Sequence, residues 1–226
     1  MKQDVYLPQS LVDVDKINIT YEGIETKWTK MTPRSLRKKV DQIREYTQSD
    51  PRRAIQEISI IYLKHTELPV LNSYLSLSYQ ALGDFERAEK SILKNYMSFP
   101  RYLFAKTNYA HSCLRQGNLD QIKEIFEHTS SLQSLYPRRK VFHVTEFLAF
   151  MSVWSVYYDK IGDKKTAILC YRSMKIVDAD HPMTKNTQRS IRRTWFLWLL
   201  EKIVGKKRLD DFFAQKAPVG TRASQK

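Results

Sequence analysis

Residues 72–100 read NSYLSLSYQALGDFERAEKSILKNYMSFP, and the pattern in this stretch decides the fold. Leu75 and Tyr79 precede Gly83 at a spacing of four, and Ala88 and Ile92 follow it at the same spacing. That period lays one apolar stripe along each of two helices. The glycine between them can take the left-handed conformation that ends a helix without a Cβ clash. Asp84 comes next, with a carboxylate able to accept from the free N–H groups of a starting helix. A small residue such as Ala88 lets the two helices approach closely. The stretch predicts a helical hairpin.

The same pattern recurs around Gly117 and Gly162. Eight residues before these glycines stand Tyr109 and Trp154, and four before stand Cys113 and Tyr158. Five after come Ile122 and Ala167; nine after come Phe126 and Tyr171. Asn118 and Asp163 are the corresponding N-cap candidates. Upstream, SLRKKVDQIREYT (35–47) carries Leu36, Val40, Ile43 and Tyr46 on one helical face. Ser49-Asp50-Pro51 then offers a turn, an N-cap and a proline tolerated in the first helical turn. The helix that follows has Ala54 and Ile58 in the repeat positions.

Leu75, Tyr79, Gly83, Ala88, Ile92 and Pro100 match the pattern of the tetratricopeptide repeat, and residues 35–182 resemble that family. Gly83 and Gly117 are 34 residues apart, the family period, whereas Gly117 and Gly162 are 45 apart. The excess of 11 falls around SSLQSLYPRRK (130–140) and predicts a longer helix or an inserted loop there. The resemblance implies an all-α fold, a right-handed superhelix of helix-turn-helix hairpins with a C-terminal capping helix.

The expected organisation is an irregular or extended arm over 1–33 that packs on the first hairpin, and a repeat domain over 34–183. A basic amphipathic or capping helix over 184–214 and a disordered tail over 215–226 complete the chain. In the third of these segments Ile191, Trp195, Trp198 and Leu199 share one helical face, widened by Phe196, Leu200 and Ile203.

Composition narrows the class. A 42% hydrophobic content with 12% aromatic residues can supply a core in 226 residues. Cys113 and Cys170 lie inside apolar helical patterns and read as buried reduced thiols. The first twenty residues carry no secretory signal, and no apolar run approaches the ~20 residues of a membrane span. A cytoplasmic protein, or one peripheral to a membrane, is expected. The formal charge of +14 favours acidic or anionic partners. From Lys185 onward eleven cationic residues stand against three acids.

No catalytic, cofactor or metal constellation stands out. The five histidines are dispersed, and His111 and Cys113, two apart on a helix, do not face each other. Phosphate-binding glycine motifs are absent. No enzyme activity, cofactor or small-molecule substrate is expected.

What the resemblance implies is a concave groove lined by the first helix of each hairpin. The family's groove positions fall on Val70, Ser73, Leu77 and Gln80, then Phe104, Thr107, His111 and Leu114, then Ala149, Ser152, Val156 and Asp159. Each could instead be a contact between repeats. The carboxylate clamp of the chaperone-binding members does not transfer. Asn108 occupies one of its positions, but Ser73, Leu77, Ala149 and Val153 fill others. Two readings stay open. One is a protein-binding adaptor or chaperone-like scaffold whose partner, a protein or peptide favoured by the charge to be acidic, lies in the groove. The other is attachment to an anionic membrane surface, less readily to RNA, through Arg189, Arg192, Arg193, Trp195, Trp198, Lys202, Lys206, Lys207 and Arg208.

Overall fold

The computed structural model describes residues 3–5, 17–65 and 67–191 of the chain. These are mostly helical. Four pairs of consecutive helices dominate: α2 (Arg34–Ser49) with α3 (Pro51–Tyr62), α4 (Pro69–Ala81) with α5 (Phe85–Ser98), α6 (Leu103–Gln116) with α7 (Asp120–Ile125), and α9 (Val144–Lys160) with α10 (Lys164–Asp178). A short α1 (Lys27–Met31) precedes them, and α8 (Leu132–Leu135) lies between the third and fourth pairs. Residues 182–191 are helical and follow α10.

The turns are local chemistry. Gly83, Gly117 and Gly162 have φ of 75°, 77° and 87°, a region where a Cβ would be strained. At the first of these the Asp84 N–H returns to the Tyr79 carbonyl at 2.9 Å, closing the last turn of α4. Asp84 then caps α5 by accepting from the Arg87 N–H at 3.0 Å, and Asp163 caps α10 from Thr166 at the same distance. Asp50 does this for α3 through Arg53, with Pro51 in the first turn. Asn118 does not cap α7. The helix starts one residue later, after Leu119, with no side-chain cap.

The third pair is also cut short. α7 has 6 residues where α5 has 14 and α10 has 15. Glu127 and His128 both turn left-handed, at φ 54° and 58°, and end it. Lys106, buried on α6, stabilises that end: its ammonium donates to the Ile125 carbonyl at 2.5 Å and meets Glu127 at 3.1 Å. Of the two expected outcomes, the structure shows an inserted segment, which contains α8, and no longer helix; α7 is shorter than its counterparts.

Over its described residues the N-terminal arm is extended in two short strands and irregular over 21–26, and it does not belong to the first hairpin alone. Strand β1 (Gln3–Val5) pairs antiparallel with β2 (Ile17–Thr20), which pairs in parallel with β3 (Val141–His143) from the insertion. Ile19 is buried among Phe142, Phe147 and the residues of α9 and α10. The Tyr21 hydroxyl donates to the Val177 carbonyl at the end of α10. From there the arm runs back to α1, where Trp28 stands edge-on to Phe99 and Tyr102 at 5.9 and 5.6 Å. One segment thus touches the last hairpin and the loop between the second and third.

Apolar burial falls in two clusters. The smaller joins α2, α3 and α4 through Val40, Ile43, Ile58 and Leu71. The larger spans α6 to α10 and centres on Phe126, Phe147, Phe150 and Trp154. Beyond α10, Thr187 ties residues 182–191 to α9 by a 2.8 Å hydroxyl contact with Ser152.

Candidate binding cleft

Six of the twelve residues expected in the groove are buried between helices. Ser73 donates to the Pro69 carbonyl and accepts from the Asn95 amide, both at 3.1 Å. Thr107 turns back to the Phe104 carbonyl, and Asp159 is paired with Lys164 at 2.6 Å. Ser152 is spent on Thr187, while Leu114 and Ala149 are core. The hydroxyls of Ser73, Thr107 and Ser152 are thus spent on the protein, whereas Asp159, with Lys164, lines a separate cavity of about 370 Å³ against α10.

The other six keep accessible surface. Leu77 is the most open, at 47%. Val70, Gln80, Phe104, His111 and Val156 are half-buried. Val70 and Phe104 come together in a cavity of about 490 Å³. α2 contributes Arg37, Val40, Asp41 and Arg44 to its wall; α4 adds Val70 and Tyr74; Tyr102 and Phe104 come from the start of α6. His143, Thr145 and Glu146 close one end at the start of α9. The arm closes another with Gly23, Ile24, Thr26, Trp28, Thr29 and Thr32.

The cleft is aromatic inside and charged at the rim. Trp28, Tyr102 and Phe104 form a continuous edge-to-face series, with Tyr102 and Phe104 centroids 5.6 Å apart. Burial drives the Tyr102 hydroxyl well above the usual phenol range and raises that of Tyr74. Both therefore stay neutral and can donate. Glu146 is committed to Arg139, which grips it with two nitrogens at 3.0 and 2.6 Å, and it also accepts from the His143 N–H. Arg37 and Arg44 form no ion pair with a carboxylate among the described residues.

His111, deeper on α6, is kept uncharged. Loss of solvation, assisted by Arg115 one turn on, lowers its pKa to about 4. Burial pushes the Cys170 thiol up to about 12, so it is unreactive as a nucleophile, and Cys113 shifts in the same direction. Among the described residues no three His, Cys, Asp or Glu side chains gather into a metal-binding group. No described helix is long and apolar enough to cross a membrane.

Of the residues expected to touch an anionic surface, Arg189 is exposed on the helix over 182–191. Arg192, Arg193, Trp195, Trp198, Lys202, Lys206, Lys207 and Arg208 lie outside the described residues, as does the tail.

Sequence reasoning missed Arg37, Arg44, Trp28, Tyr74 and Tyr102. A signal for Trp28 existed, since a tryptophan between lysines in a polar arm needs somewhere to bury its ring. No family model and no curated protein matches the chain.

Proposed function

We propose that the chain is a non-catalytic binding scaffold, a right-handed superhelix of tetratricopeptide-type hairpins that holds a partner polypeptide in the cleft between α2, α4, α6 and the arm. One observation carries this reading. The first helices of three successive hairpins contribute Val40, Val70 and Phe104 to one cavity of about 490 Å³. Surfaces of that kind, apolar at the floor with a few fixed polar groups, suit the side chains of an extended or helical segment. Four helix pairs joined by one or three residues, with left-handed glycines at three of the joints, support the repeat architecture behind it.

The test is affinity capture from the source cells with the full chain and with a Val70→Asp, Phe104→Asp variant whose helicity matches it. The native chain is expected to retain discrete polypeptides that the variant loses. Retention of the same polypeptides by both chains contradicts the reading.

A further inference from the structure

The charge around the cleft goes further than the scaffold reading and specifies the partner. Arg37 and Arg44 are seven residues apart on α2, two turns along one face, and both are exposed at the mouth of the cavity. Two carboxylates stand nearby. Glu146 is neutralised by its two-pronged pair with Arg139. Asp41, between the two arginines on α2, is exposed and joins neither in an ion pair among the described residues. The lining thus carries two arginines against one uncommitted carboxylate, on a chain whose formal charge is +14.

We propose, building on the scaffold reading, that the cleft binds an acidic segment of a partner polypeptide, with a bulky apolar side chain seated between Val70, Phe104 and Trp28 and an adjacent Asp or Glu held by Arg37 and Arg44. Guanidinium groups suit this task because their planar forks match a carboxylate and are weakly hydrated. Asp41 offsets only one of the two positive charges, which leaves a net cation for a partner's carboxylate. A single-stranded nucleic acid would use the same cations but needs open ring faces for its bases to stack on. Here the rings close edge-to-face on one another: Trp28 on Phe99 and Tyr102, Tyr102 on Phe104. A cavity walled on several sides accepts a side chain more readily than a row of bases.

A displayed library of random dodecapeptides, selected on the full chain, tests the assignment. Enriched sequences are expected to place Asp or Glu within two or three residues of an aromatic or large aliphatic residue. A synthetic consensus peptide should bind at least about tenfold more weakly to the Arg37→Gln, Arg44→Gln variant, and its Glu-to-Gln version should lose a similar factor. Asp41→Asn, by removing the competing charge, should tighten binding. Enrichment without acidic residues, failure to enrich any clone, or a consensus indifferent to both arginines would overturn the proposal. So would a uridine 20-mer that binds through Arg37 and Arg44 when no peptide does. Peptide binding that needs Val70 and Phe104 but ignores the arginines removes the acidic ligand and leaves the scaffold. Binding that ignores all four removes both.

Discussion

The two halves of the molecule bury their apolar surface in different ways. Around α2, α3 and α4 the buried cluster is aliphatic: Val40, Ile43, Ala54, Ile58, Ile61, Leu68 and Leu71. Each helix there meets its sequence neighbours, as in a solenoid. Around α6 to α10 the cluster is larger and aromatic, with Phe126, Phe142, Phe147, Phe150 and Trp154, and it incorporates Ile19 from far upstream. Strand β2 pairs with β3 there, and Tyr21 reaches α10. The first half is thus held mainly by contacts between helices close in sequence. The second is closed by a segment from the opposite end of the sequence. The difference teaches that a repeat register need not make a uniform stack, since one insertion gave the arm a strand to join.

The largest expected effect lies in the aromatic half. Phe150→Ala removes a ring packed edge-on against Phe126 at 5.3 Å and should cost about 3–5 kcal/mol of global stability. Ile58→Val in the first half should cost about 0.5–1.5 kcal/mol. Urea unfolding gives both values. A cost at Phe150 no larger than that at Ile58 would contradict the packing of its ring in the aromatic cluster. Native-state hydrogen exchange should find α2 and α3 opening before α9 in the unaltered chain.

The joint between the halves is expected to respond to acid. His111 on α6 would titrate near 6.5 in the unfolded chain and near 4 in the folded one. Its folded pKa is depressed, so its contribution is fully present above about pH 6.5 and is lost as pH falls toward 4. The loss amounts to at most about 3 kcal/mol. His111→Gln should flatten that part of the stability profile. A profile unchanged by the substitution would mean that the imidazole is solvated in the folded chain.

Smaller effects lie at the turns. Gly83→Ala and Gly162→Ala each place a Cβ in a left-handed conformation and should cost about 1 kcal/mol by thermal unfolding, although no atom stands within 4 Å to clash. Asp163→Ala removes the α10 cap at a cost of about 1 kcal/mol, whereas Asn118→Ala should be nearly silent because Asn118 caps nothing. A penalty at Asn118 matching that at Asp163 would show the third turn behaving like the fourth.

Where sequence reasoning reached and where it stopped follows the range of the interactions. The glycine turns, the Asp50, Asp84 and Asp163 caps and Pro51 are settled within a few residues, and they are legible as such. The β2–β3 pairing joins residues more than 120 apart, with short strands of weak alternation, and no local signal announces it. The early end of α7 was hidden for a related reason. Glu127 and His128 adopt left-handed backbone without glycine, held by Lys106 from the neighbouring helix. For the cleft, the repeat positions singled out Val70 and Phe104 but also six buried residues. Adjacent faces of one helix differ by a single residue step, and packing between hairpins decides which face stays open. Arg37, Arg44 and Trp28 escaped because they belong to the weakest repeat and to the arm.

The proposed partner lies in the cleft rather than on the outer helices. Photo-cross-linking from the full chain in its source cells tests this most directly, with a photoreactive residue placed at Phe104 and, separately, at Met97, which is exposed on α5. The account predicts a discrete polypeptide adduct from position 104 and none from position 97. Adducts from position 97 alone would contradict it.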